Sequence, residues 1–201
     1  MTTLLFVSGS RRCGSFNSRL LRNVAQRLEG RCRIDMLEPA DIDLPLFNQE
    51  LEDTPEVIDR VAALHRRFKT SDGIVVASPE YNGQPTPYLM NIVAWVSRLA
   101  HVDSRFDNPF HGHPLMLCSA STGRSGGALA MPHARALFAY VGSLIAGDAI
   151  CVPYADQAWT GSGYVFDPFF DEQIDVTMES FLQQVQASVC SGRDQFETVC
   201  R

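Results

Sequence analysis

Residues 8–17 read Ser-Gly-Ser-Arg-Arg-Cys-Gly-Ser-Phe-Asn and follow directly on the apolar run Leu4-Leu5-Phe6-Val7. Hydroxyls, glycines and guanidiniums behind a short strand are the ingredients of a phosphate cradle, and four kinds of chemistry use such a loop. A nucleotide-hydrolysing loop has its two glycines here at Gly9 and Gly14, but Ser15-Phe16 stands where Lys-Ser or Lys-Thr is needed for the terminal phosphates and Mg²⁺. A dinucleotide fingerprint fails because Ser10 and Arg11 follow Gly9. Asp35, in the region of a ribose-binding acid, reads more simply as a polar residue on the second strand. A thiol phosphatase of low-molecular-weight type would use Cys13 and Arg19 as Cys-x₅-Arg, with Asp167-Pro168 as an acid loop. Composition alone yields about half such a match by chance, and Arg19 falls inside the next predicted helix, directed away from a loop-bound phosphate. The fourth reading is a retained cofactor phosphate. Ser10 and Ser15 supply donors, the glycines permit a tight nest, Asn17 holds the loop or the phosphate, and Arg12 adds a charge, with Arg11 a substitute. A capped helix carrying two exposed arginines explains this stretch equally well when it is taken alone.

The elements that would position this loop alternate along nearly the whole chain. Strands are predicted over residues 3–7, 32–37, 73–78 and 114–121, with a fifth inside 143–152. Helices are predicted over 15–28, 54–68, 86–99, 128–141 and 171–189, from apolar residues at helical spacing. The run Gly73–Ser78 is uninterruptedly apolar, as for a strand covered on both faces. Five βα units in succession predict a parallel sheet between helical layers in one domain spanning 1–201. The segments 38–54, 101–113 and 153–167 read as surface connections.

Ligands in such sheets bind beyond the carboxyl ends of the strands, where strand order reverses. Three strand-to-helix loops are chemically unusual: residues 8–17 after strand one, "SPEYNGQPTP" (78–87) after strand three and "SASTGRSGG" (119–127) after strand four. In strand order 2-1-3-4-5 these three ends lie side by side and form one cleft. That order is flavodoxin's, and the pattern favours a site for flavin mononucleotide, FMN.

"GSRRCGSFN", "SPEYNGQPTPYLMNIVAWVSR" and "SASTGRSGGALAMPHARALFAYVG" resemble the three hallmark regions of the NADPH-dependent FMN reductase family, which includes quinone, azo-dye and chromate reductases. The resemblance runs from strand one to about Val152. It implies a flavodoxin-like three-layer fold, non-covalent FMN, NADPH or NADH as hydride source, a small-molecule electron acceptor, and a homodimer or homotetramer. By resemblance, Ser10, Arg12, Ser15, Phe16 and Asn17 surround the FMN phosphate. Pro79, Glu80, Tyr81, Asn82 and Gly83 line one edge of the flavin ring, and Ser121, Gly123 and Gly126 border it from the third loop. His133 and Arg135 match a helix motif with a structural or interface role. The chain departs from the family pattern at Thr86-Pro87, Met90, Ala94 and Leu129, where Pro-Gly, Lys, Asp and Arg are usual; the charge losses bear on subunit contacts or NADPH preference. No catalytic side chain is expected, because the flavin itself does the redox chemistry. A flavodoxin-like electron carrier is the alternative, although such carriers lack the "SPEYNG" loop.

Composition narrows the remaining choices. A net charge of −6 disfavours a general nucleic-acid binder. Lys69 is the only lysine, so lysine-dependent mechanisms rest on a residue in a polar helix end. No apolar run approaches the ~20 residues of a membrane span, and no signal-peptide pattern opens the chain. Six scattered cysteines without a Cys-x-x-Cys pair fit reduced thiols in the cytoplasm. His111 and His113 read as a polar surface turn rather than a metal pair, and no metal site is expected.

Overall fold

The computed structural model describes the backbone of residues 1–160, 163–164 and 167–199, and side chains through 159 and from 167 to 190. Cys200 and part of the predicted 153–167 loop lie outside the described residues. In chain order the strands are β1 (Thr3–Ser8), β2 (Arg33–Leu37), β3 (Gly73–Ala77), β4 (Glu80–Tyr81), β5 (Gln84–Pro85), β6 (Pro114–Ala120), β7 (Leu144–Ile145), β8 (Ile150–Val152), β9 (Trp159–Thr160) and β10 (Gly163–Tyr164). The helices are α1 (Phe16–Arg27), α2 (Pro55–Thr70), α3 (Pro87–Val102), α4 (Met131–Tyr140), α5 (Ala155–Ala158) and α6 (Pro168–Val199), and the short 3₁₀ turn Ala128–Ala130 leads into α4.

The main sheet runs β2-β1-β3-β6, with β7 and β8 both parallel to β6 in the fifth position. This is the predicted order 2-1-3-4-5 with its fifth strand broken. β7 pairs with Pro114 and Leu115, β8 with Cys118 through Ala120, and a turn carrying Gly147 at φ +51° separates them.

Period-2 alternation along the buried strands sorts side chains into two cores. Leu4, Phe6, Val75, Met116 and Cys118 face α1 and α6, where they meet Leu20, Leu21, Val24, Met178 and Phe181. Leu5, Val7, Ile74, Val76, Leu115 and Leu117 face the other way, against Phe68 of α2, Ile92 and Val96 of α3 and Phe138 of α4. Each fully buried Leu or Phe contributes about 2 kcal/mol. The result is a three-layer α/β sandwich.

Two of the predicted surface connections do more than connect. In the 38–54 segment the Pro45 carbonyl accepts from both Trp95 Nε1 and Asn91 Nδ2 at 2.9 Å, the Phe47 amide donates to Asn91 Oδ1, and Glu52 pairs with Arg98. Trp95, Val57, Val61 and Leu99 form a third apolar cluster beneath it. The predicted polar turn at 111–113 is also half inside the protein. His111 is exposed, but His113 is half-buried with Nε2 3.0 Å from the Ser71 carbonyl, while its Nδ1 is buried without a partner.

Burial pushes the His113 pKa down, and Lys69 lowers it further against smaller opposing influences from Ser71, His111 and Asp72. The folded protein therefore keeps this ring neutral at pH values where the unfolded chain, with an ordinary histidine pKa of about 6.5, binds a proton. Stability is full above that value and falls as pH drops below it. Urea unfolding at pH 7.5 and 5.5 is expected to show this loss in the wild type and a flatter profile in His113→Gln; equal slopes in both would refute the assignment.

Candidate functional site

Parallel strands that end side by side leave terminal backbone groups that must find partners. Here the partners come from the loops themselves. β1 ends at Ser8, and the Gly9 amide donates to the Ala77 carbonyl at the end of β3 (2.7 Å). Thr86, the N-cap of α3, donates its hydroxyl to the Gly9 carbonyl at 2.5 Å and accepts from the Leu89 amide. Ser119 Oγ donates to the Ser78 carbonyl (2.8 Å), joining the ends of β3 and β6. Asn17, buried in the first turn of α1, uses both ends of its carboxamide on one residue: Nδ2 donates to the Ala120 carbonyl and Oδ1 accepts the Ala120 amide, at 2.9 and 3.0 Å. The three loops are thus bolted together above the sheet.

Two glycines make that possible. A Cβ on Gly9 would lie 3.0–3.1 Å from Ser78, and one on Gly127 would collide with Ser119, where φ is also +89°. No side chain fits at Gly127, and one at Gly9 would require Ser78 to shift.

The loops enclose a cleft of about 330 Å³ lined by Ser10, Arg12, Ser15, Phe16, Asn17, Pro79, Glu80, Tyr81, Ala120, Ser121 and Thr122. That volume is at the lower end for small-molecule sites. Of the thirteen predicted site residues, nine line it. Asn82, Gly83, Gly123 and Gly126 do not, and each departure has a reason. Asn82 (φ +54°) and Gly83 (φ +72°) form the two-residue tip of the β4–β5 hairpin, the left-handed pair such a tight turn requires. Gly123 donates its amide to Ser121 Oγ at 3.2 Å and so shapes the neighbouring cleft residue. Gly126 packs on the end of β8, where a Cβ would sit 2.7–2.9 Å from the backbone of residues 151–153. Asn17 lines the cleft, and both ends of its carboxamide hold the Ala120 backbone.

At one end the donors suit an anion. α1 opens at Ser15, which is buried and makes no side-chain cap, so the first-turn amides retain the unfilled donors of any helix start. Ser10 Oγ accepts the Arg12 amide (3.3 Å) and keeps its own proton to give. Arg12 lines the cleft, whereas Arg11 sits over the Tyr88 ring. The one carboxylate of the lining, Glu80, is engaged elsewhere: Oε2 accepts the Ala130 amide (3.1 Å) at the start of α4. This donor set fits a phosphate at the α1 end and leaves the opposite walls, Pro79–Tyr81 and Ala120–Thr122, for a flat ring.

The described thiol groups add no chemistry to the cleft. Cys13 is exposed and does not line it, so nothing in the cleft supports a thiol phosphatase. Burial pushes the Cys151 thiol up to about 11, and Cys118 is fully buried and raised further. No metal-binding group of three His, Cys, Asp or Glu occurs among the described residues.

Ala120 and Thr122 were not expected in the lining. A small residue closing a strand carries no signal of its own, although both lie within the loop that sequence reasoning selects.

The comparisons agree with this geometry. The family described as NADPH-dependent FMN reductase matches residues 2–157. The chain is 29% identical over 137 residues to a quinone reductase of Escherichia coli K12, covering 68% of this chain and 69% of that protein. It is 28% identical over 188 residues to an NAD(P)H-dependent FMN reductase of Pseudomonas aeruginosa, covering 92% and 91%. Among solved structures it superposes on FerB, a flavoenzyme NAD(P)H:(acceptor) oxidoreductase from Paracoccus denitrificans. The TM-score is 0.79 and identity 25%, over 94% of this chain and 99% of that one.

Replacing Asn17 by Ala strands two buried backbone groups of Ala120. Unfolding free energy is expected to fall by about 2 kcal/mol, with Thr86→Val, which frees the Gly9 carbonyl, costing a similar amount. Urea titrations check both; values within 0.5 kcal/mol of wild type (about the scatter of surface substitutions) would show that the loops are held by other means.

Proposed function

The chain belongs to the NADPH-dependent FMN reductase family, and from that membership we propose a quinone as the acceptor of its NAD(P)H-dependent flavin oxidoreductase activity. The observation that carries the reading is the three-loop cleft, with anion donors at one end and flat walls at the other. The quinone reductase relatives support the acceptor class. The relatives named above are reductases, and neither the electron carrier nor the phosphatase is retained.

When bound, FMN supplies the redox chemistry, accepting a hydride from NAD(P)H and passing reducing equivalents to the acceptor. The protein's part is binding, orientation and exclusion of water. Ser10 and Ser15 would hold the phosphate through their hydroxyls, Arg12 would add a charge-assisted bond, and the first-turn amides of α1 would complete the cradle. Phe16 packs against Trp159 with ring centroids 5.8 Å apart and closes the same end. Asn17 holds the cradle to the end of β6. Pro79, Glu80 and Tyr81 serve one ring edge. Glu80 is fixed by Ala130, which keeps its backbone in place. Ser121 serves the other edge. Tyr81 is half exposed at the cleft, where nicotinamide and acceptor would exchange. No side chain is assigned as acid or base.

The same reading extends to assembly and location. Met90 (47% exposed), Leu129 (65%) and Tyr140 (91%) are apolar side chains on α3 and on the α4 segment, both packed on one side of the sheet. Such a surface suits a second copy of this chain, and we take the protein to be a homodimer. It acts as a single FMN-binding domain over residues 1–201, in the cytoplasm. No helix among the described residues is long and apolar enough to cross a membrane.

Purified protein is expected to carry a flavin spectrum, to bleach on anaerobic addition of NADPH and to recover colour when a benzoquinone is added. Protein that binds no FMN when it is supplied would refute the reading. Ser15→Ala is expected to weaken FMN retention by about tenfold, the effect of one charge-assisted bond, with little change in thermal midpoint. Tyr140→Asp is expected to give a monomer by light scattering; an unchanged mass would move the interface elsewhere.

A further inference from the structure

The segment from α1 to the turn beyond it carries four arginines, and three of them have carboxylate partners: Arg22 pairs with Glu38, Arg27 with Asp171 and Asp175, and Arg31 with Glu179. Arg19 has no carboxylate within ion-pair distance among the described residues, and neither has Arg12. Instead the two converge on one aromatic ring. The Arg12 guanidinium carbon lies 5.4 Å from the Phe16 ring centroid, and that of Arg19 lies 5.6 Å from the same centroid. A helical side chain leans toward the N-terminus of its own helix. Arg19 follows that rule back over the first turn, until a terminal nitrogen is 3.8 Å from where a Cβ on Gly14 would be. The sequence expectation that Arg19 turns away from the loop is therefore wrong: its charge returns to the loop.

Two like charges gathered at one ring repel each other, and cation–π attraction of about 0.5–1 kcal/mol at an exposed site offsets this only in part. The arrangement makes sense if an anion shares the site. Glu80, the only carboxylate of the lining, is engaged with Ala130. A phosphate monoester carries about −1.5 to −2 at neutral pH, which matches two guanidiniums.

We infer that Arg19 is the second cation of the cofactor-phosphate site, adding its charge to that of Arg12 from behind Gly14 while Arg12 lines the cleft directly. The inference rests on the reading of the cleft as the FMN site. Arg19 is exposed, so replacing it leaves the fold intact, and it is not a catalytic residue. Its effect is on which flavin is held.

The test compares FMN with riboflavin, which has the same ring and no phosphate. Protein freed of flavin is titrated with each, followed by flavin fluorescence at low and high salt. The wild type is expected to prefer FMN, with the preference narrowing as salt rises. Arg19→Met is expected to weaken FMN binding by about tenfold, to leave riboflavin unchanged and to flatten the salt dependence of FMN binding. Arg19→Lys, which keeps the charge, is expected to restore most of the affinity. If Arg19→Met weakens both flavins equally, or neither, while the wild type discriminates, Arg19 only packs on Phe16 and the inference is overturned by itself. If the wild type does not distinguish FMN from riboflavin, the phosphate site is misassigned and the inference falls with it.

Discussion

Everything at the functional end of this molecule depends on how three neighbouring parallel strands stop. Beyond Ser8, Ala77 and Ala120 the sheet ladder runs out after single bonds from the Gly9, Ser78 and Ser121 amides, yet the backbone there is buried, and a buried carbonyl or amide without a partner costs about 1–3 kcal/mol. The sequence meets this with short polar side chains aimed at backbone rather than at one another. Asn17 takes both groups of Ala120, Thr86 takes the Gly9 carbonyl and Ser119 takes the Ser78 carbonyl. Because these side chains are short, the loops must approach closely, and that is why Gly127 has no room for a Cβ and Gly9 little. The cleft is what remains between loops pulled together in this way.

This arrangement explains which parts of the fold were legible. Strands covered on both faces are continuous apolar runs, and β1, β3 and β6 were placed within a residue or two. The helices carried their own punctuation: Gly30 at φ +76° just after α1, and Thr86-Pro87 at the start of α3. The fifth strand was harder. Segments of two and three residues, β7 and β8, are too short to show a period, and the break between them depends on the conformation of Gly147. The Asn82-Gly83 dipeptide carries a strong hairpin signal. It went unread because its loop had already been assigned to a ligand.

The site was legible as a place more than as a set of roles. Loops rich in Ser, Gly and Asn mark the strand ends that line the cleft, but those residue types serve a ligand and a loop equally well. Asn17 and Gly126 lie in the right loops and turn out to support them. Arg19 was the reverse case. Helical spacing fixed the direction of its Cα–Cβ bond but not the reach of a long side chain, which returns its charge about one turn toward the N-terminus. Periodicity predicts which face a residue occupies. It does not predict where a flexible charged group ends, and that depends on which carboxylates lie within reach.

Charge distribution ties these points together. The chain is acidic overall, with a net charge of −6, and many of its arginines are matched to a carboxylate on a neighbouring element, as Arg67 of α2 is to Asp35 of β2 and to Asp41. Exposed pairs of this kind add little to stability. At the loop after β1, Arg12 and Arg19 stand without such partners beside a helix start whose amides carry the positive end of the dipole. An acidic protein thereby concentrates positive potential at one end of one cleft. The opposite, ring-facing end is walled by Pro79, Ala120 and half-exposed Tyr81, and its one carboxylate, Glu80, accepts the Ala130 amide. Grip and exchange are therefore separated in space: the cationic floor holds what must stay, and the opposite mouth admits what must come and go.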